Sequence, residues 1–166
     1  MFRIKDFYLK KIYNLKGKKL GIVKDIILDF SNGRIIGLEV NNYSFLGNKN
    51  FLDIKDIVTM EENIICKEIK EKTGLKFLDI KDLEVVDKNG NIKGEIEDLI
   101  IDEKEFKIKG IVLNSGLIDK IVKGREIILI NQCVLGDDFL LYLGSCGISV
   151  KNIPSLINKD VYYKKA

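Results

Sequence analysis

The sequence predicts an all-β protein built from two tandem copies of one unit and closed by a short C-terminal tail. Three observations carry that expectation. Residues 17–40 align without a gap onto residues 90–113 at an offset of 73. The apolar residues fall in short runs rich in Ile, Val and Leu, the length and composition of strands. Turn signals recur every roughly 8–12 residues, the spacing of a sandwich or a barrel.

In the aligned block Gly17, Gly21, Asp25, Ile27, Asp29, Ile35 and Gly37 recur as Gly90, Gly94, Asp98, Ile100, Asp102, Ile108 and Gly110, seven identities in 24 positions. Beyond it the offset becomes 76, and Ile57-Val58 aligns with Cys133-Val134. Each copy opens with a long strand, Leu20–Phe30 or Gly94–Asp102. Ser31-Asn32-Gly33 then makes a hairpin turn, because Asn-Gly accepts the positive φ of tight hairpins. Glu103-Lys104-Glu105 stands there in the second copy, which predicts a turn built differently. A second strand follows, Arg34–Val40 or Lys107–Leu113, then a longer loop, Asn41–Asn50 or Asn114–Lys123. Two short strands around Glu61-Glu62-Asn63 or Gly136-Asp137-Asp138 close the copy. The charged link Lys67–Lys76 places the boundary at Thr73-Gly74, giving units 1–72 and 73–147 and a tail, 148–166. In the tail Pro154 precedes Ser-Leu-Ile-Asn, a short helix or docking arm. One copy alone buries only about 60% of its unfolded surface, so packing of the copies on each other, or a homodimer, is expected.

Composition removes several functions. The 166 residues are 46% hydrophobic and 32% charged, which suits a folded, soluble chain and excludes a disordered or collagen-like one. There is no histidine, so Ser-His-Asp and Cys-His nucleophilic pairs and His-ligated zinc are excluded. Cys66, Cys133 and Cys146 form no CxxC pair; Cys66 and Cys133 read as small core residues, and Cys146 lies in a glycine-flanked loop. The longest apolar stretches, Ile127–Ile130 and Phe139–Leu143, fall far short of the ~20 residues of a membrane-spanning helix. With no apolar leader at the N-terminus, a cytoplasmic protein without membrane insertion is the expectation. The net charge of +3 is unevenly placed: residues 1–24 hold eight basic groups against Asp6 alone, and residues 73–166 hold 14 basic and 15 acidic. The basic segment either faces phosphate or an acidic partner or is a solvated face of Lys-rich strands; the solvated face is the plainer reading.

Residues of both copies carry a resemblance. Gly17-x-x-x-Gly21-x-x-x-Asp25 followed by Ile-Ile-Leu-Asp, a turn and Ile35-Ile36-Gly37-Leu38 resembles the PRC-barrel domain, as does Asn89-Gly90-Asn-Ile-Lys-Gly94-Glu-Ile-Glu-Asp98. Ser44-Phe45-Leu46-Gly47 before Phe51–Val58 is similar to the family's loop and closing strands, and Asn131–Tyr142 to its last hairpin. The resemblance covers about 1–66 and 77–143 and implies two tandem small β-barrels of about six strands each. The family includes the cytoplasmic domain of the photosynthetic reaction-centre H subunit and a barrel of a ribosome-maturation factor. Short stand-alone relatives occur in spore-forming bacteria and are grouped with sporulation. The implied activity is non-catalytic: a scaffold that presents loops to another macromolecule, with no cofactor and no shared catalytic residues.

The candidate sites each have a plainer reading beside them. Asp87-Lys-Asn89-Gly-Asn91 imitates the start of a calcium loop, but Ile92 replaces the required glycine and Asp98 the closing glutamate, so a hairpin turn is expected and no metal. Asp25/Asp29 and Asp98/Asp102 are spaced i, i+4 on strands, hence on one face; they suit acid–base chemistry or Mg²⁺, or accept backbone N–H bonds near barrel turns, the reading that repetition favours. Tyr43, Phe45 and Leu46, in the loop 41–50, either present an interface or fold back to plug the barrel. Leu117–Ile121 and Ile118–Val122 are i, i+4 pairs of an amphipathic stretch, more simply used in packing. The expected function is a protein-binding adaptor in a ribosome- or RNA-associated assembly, with Tyr43, Phe45, Leu46, Lys16, Lys18 and Lys19 as its binding residues. The alternative is direct RNA binding through the basic segment and the 41–50 loop.

Overall fold

A strand buried on both faces needs a near-continuous apolar run, and each copy contains one. In the structure, a computed structural model that describes residues 2–42, 48–102, 104–116, 125–144 and 148–150, these runs form β3 (Lys19–Asp29) and β10 (Ile92–Ile101). Around β3 the first copy assembles β2 (Lys11–Asn14), β4 (Arg34–Asn42), β5 (Phe51–Asp53), β6 (Ile57–Met60) and β7 (Ile64–Cys66) in the order β5-β4-β3-β2-β7-β6. The second copy repeats this with β9 (Glu84–Asp87), β11 (Ile108–Asn114), β12 (Arg125–Ile128), β13 (Cys133–Leu135) and β14 (Phe139–Tyr142), in the order β13-β14-β9-β10-β11-β12. The result is two tandem small β-barrels. The first residues of the expected tail form β15 (Ile148–Val150), which adds to β12.

Sequence identities between the copies mark positions the architecture constrains. Gly21 and Gly94 lie where β3 and β10 cross their neighbours: a Cβ there would sit 2.3 Å from the Asn41 carbonyl oxygen or 2.5 Å from that of Asn114. The hairpin after β3 uses Gly33 at φ +59°, and Phe106 takes the same aligned position at φ +53°. That turn was expected to be built differently. The left-handed position is in fact retained, without glycine, and the closure differs: Gly33 N–H donates to Phe30, Phe106 N–H to Asp102.

The two barrels are bound by a reciprocal exchange that the sequence reading did not foresee. β1 (Phe2–Arg3) pairs with Ile100 and Ile101 of β10, and β8 (Leu75–Lys76) pairs with Ile27 and Leu28 of β3. Every residue of one pairing maps onto the other at the offset of 73. Ile4 and Phe7 after β1, and Phe77 and Ile80 of the short helix α1 (Phe77–Ile80) after β8, are buried, each contributing about 1.5–3 kcal/mol. The hairpin tips also meet. Ile35 N–H donates to Phe106 O (2.9 Å) and Ile108 N–H to Gly33 O (2.8 Å), flanking an Arg34–Lys107 bridge that relates the copies as by a twofold axis. Buried apolar residues of both barrels form one continuous core.

Candidate interaction surfaces

The expected binding lysines stand at one end of the first barrel. β2 turns into β3 because the Asn14 side-chain oxygen accepts from the amides of Lys16 (3.0 Å) and Lys18 (2.9 Å), and Gly17 N–H closes the turn onto Asn14 O. Lys16, Lys18 and Lys19 are all exposed. Register extends this patch over the barrel wall. Tyr13 stands opposite Lys19 and beside Ile65, while Lys11 and Lys67 lie two residues along their chains and are exposed. The first barrel therefore turns a basic face, centred on half-buried Tyr13, towards solvent. Sequence reasoning named three of these lysines, counted Lys11 only within the basic segment 1–24, and missed Tyr13 and Lys67, which only the strand pairing brings alongside. Tyr43, Phe45 and Leu46 lie outside the described residues, as do Cys146 and the amphipathic stretch 117–122.

The second barrel's equivalent turn has the same construction and a different exterior. Asp87 accepts from the amides of Asn89 (2.8 Å) and Asn91 (3.0 Å) and from the Asn91 side chain. The Asn91 side-chain bond leads the set that holds its carboxyl below the usual carboxylate range. The residues that imitate a calcium loop thus serve the turn. Past it, Ile92, Phe139 and Leu143 are exposed where the first barrel has Lys19, Asn63 and Lys67.

The repeated carboxylates have a structural cause. Asp25 and Asp98 are buried, and each accepts from the next amide in its strand, Ile26 (2.7 Å) or Leu99 (2.8 Å). Each also holds the exchanged segment of the other copy: Asp98 accepts from Ile4 N–H (3.0 Å) and Arg3 Nε (2.7 Å), and Asp25 from Leu78 N–H (3.1 Å). The expectation that Asp25 and Asp29, or Asp98 and Asp102, share one face is corrected. Register shifts at Ile27/Leu28 and Ile100/Ile101 insert a bulge between them. Asp29 and Asp102 instead cap their own hairpins, Asp29 accepting from Asn32 and Asp102 from Lys104 and Glu105.

The surroundings of the two buried carboxylates differ. Glu39 stands opposite Asp25 and takes the Lys76 ammonium at 2.8 Å; at its place the second barrel has Val112, and Arg3 goes to Asp98 itself. Burial pushes the Asp25 carboxyl above its usual range against the hydrogen bonds that lower it, and the Glu39 charge adds to the rise. Tyr8, which donates to Asp25 at 3.3 Å, is pushed up by the same burial and by the Asp25 charge. Burial also raises the thiols of Cys66, to about 11, and Cys133, to about 12, so both stay protonated. Cys66 lies in the core as expected; Cys133 packs against its edge.

Two clefts flank the central bridge. One, about 360 Å³, lies between the first hairpin tip and Leu129–Asn131; the other, about 310 Å³, lies between Glu105-Phe106 and Asp53–Lys55. They are equivalent under the repeat and follow from the meeting of the hairpins. Among the described residues no group of three or more acidic or cysteine side chains converges as a metal site. No helix among them is long and apolar enough to cross a membrane.

Comparison with known proteins gives one result of each kind. The family model described as PRC-barrel domain matches twice, over residues 1–73 and 74–141. A comparison with curated proteins finds no match.

Proposed function

The chain belongs to the PRC-barrel domain family, and on that premise we propose that it is a non-catalytic adaptor of the cytoplasm, binding another protein within a ribosome- or RNA-associated assembly. The two repeats, 1–72 and 73–147, act as a rigid pair. The carrying observation is the divergence of equivalent outer faces on matching interiors: the first barrel offers a lysine cluster around Tyr13, including Lys16, Lys18 and Lys19, and the second an apolar face. A lysine face with an aromatic centre suits an acidic protein segment. Tyr43, Phe45 and Leu46 remain part of the proposed binding set, from the chain they share with β4. The same lysines favour a second reading, direct RNA binding, which depends far more steeply on salt.

The test is recovery of partners from the native lysate by tagged full-length protein, with and without nuclease. Beside it runs the variant Lys11→Glu/Lys19→Glu/Lys67→Glu. The adaptor reading expects a protein partner that survives nuclease and is lost at least roughly tenfold by the variant. Recovery that vanishes with nuclease transfers the function to RNA.

A further inference from the structure

On the second barrel, register sets Val134, Leu141, Val86 and Ile92 side by side across β13, β14, β9 and β10. Phe139 and Leu143, two residues either side of Leu141, continue the same outward face. Ile92 is 64% exposed and Val134 51%. The barrel itself does not require this: the first copy folds with Lys19, Asn63 and Lys67 at the positions of Ile92, Phe139 and Leu143. Carboxylates rim the face. Glu84 stands opposite Phe139 and Glu95 opposite Glu84, and Asp137 and Asp138 lie in the turn before Phe139. A sheet face of this kind calls for a cover that is apolar and cationic.

We infer that this cover is the chain's own segment 151–166. Its composition matches: Ile153, Leu156, Ile157, Val161, Tyr162 and Tyr163 alternate with four lysines against Asp160 alone. Its origin matches, because it leaves the second barrel at Val150 of β15, opposite Arg125. The next residue of β12, Glu126, pairs at 3.0 Å with Lys93, the neighbour of Ile92. Sixteen residues reach up to roughly 50 Å when extended, and the six strand spacings from β15 to β13 span only about 30 Å. Its occurrence matches too: the tail has no counterpart in the first copy, and although Val58 and Ile65 stand at the positions of Val134 and Leu141, the apolar Ile92, Phe139 and Leu143 are Lys19, Asn63 and Lys67 there. The contact is independent of any partner held by the first barrel.

Amide hydrogen exchange on the full chain tests this, with residues 151–166 as a free peptide for reference. In the native protein the tail amides are expected to exchange at least roughly tenfold more slowly than in the peptide. The variant Ile92→Lys/Phe139→Asn/Leu143→Lys, which installs the first barrel's own residues, is expected to return them to the peptide rate with β3 and β10 still protected. Leu156→Asn/Ile157→Asn is expected to do the same from the tail's side. Tail amides as fast in the native chain as in the peptide overturn the inference, as does protection that survives the face variant. Sedimentation supplies the remaining arm. Tail protection that appears only in a dimer, or a dimer lost with the face variant, assigns the face to a second copy and overturns docking within one chain.

Discussion

Where the first barrel carries Gly21, the second carries Gly94; where the first carries Lys19, the second carries Ile92. The first pair is held by a backbone oxygen that leaves no room for a Cβ, while the second lies on the exposed outer wall of the strand ladder. The same contrast runs through both units. Asn14 and Asp87 cap equivalent turns, Asp25 and Asp98 secure equivalent exchanged segments, and the β1 and β8 pairings coincide residue for residue. Meanwhile Lys11 has become Glu84, Asn63 has become Phe139 and Lys67 has become Leu143. Hydrogen-bond geometry therefore fixes the interior of a barrel and leaves its wall open to different chemistry.

The largest effects should come from breaking the shared interior. Asp98→Ala leaves two buried N–H groups and the Arg3 guanidinium without their acceptor, and Asp25→Ala leaves two N–H groups and the neutral Tyr8 hydroxyl but keeps Lys76 on Glu39. Each should cost about 2–4 kcal/mol in urea unfolding, with Asp98→Ala the costlier. Equal costs, or the reverse order, would break the account of why the second barrel dispenses with Glu39. A smaller effect tests the turn. Gly33→Ala should lose about 1 kcal/mol to its positive φ, a strain Phe106 already bears at the matching position. The smallest is a pH dependence. Asp25 has its folded value raised by burial, so its contribution is fully present below its ordinary value of 3.8 and is lost as pH rises through the raised value. Asp25→Asn should flatten that loss in unfolding curves taken across the acid range. Asp29, Asp87 and Asp102 have lowered values, so their contributions run the other way, present above 3.8 and lost on further acidification.

Repetition made the interior legible in the sequence. An identity that recurs at one offset reports a position where the backbone accepts one residue type, and Gly21, Asp25 and Asp29 were found in that way. What escaped was carried by short or dissimilar segments. β1 and β8 are two residues each, too brief for any periodicity, and Phe2-Arg3 against Leu75-Lys76 preserves character without identity. The i, i+4 rule failed for Asp25 and Asp29 because it presumes an unbroken strand, and a bulge leaves no mark in composition. The faces were visible only as differences inside an alignment read for its matches. Strand register was needed to turn Lys11, Lys19 and Lys67 from a scattered charge count into one surface.

The reciprocal exchange has a consequence for how the chain is made. Residue 2 cannot find its partner until residue 101 has been synthesised, and the first barrel lacks its borrowed strand until residue 76 has emerged. An emerging chain must hold Phe2 and Arg3 unpaired until nearly a hundred further residues have been added, a large loop closure to complete late. Neither half reaches its final contacts alone, so the pair should melt in one cooperative step although its sequence reads as two domains.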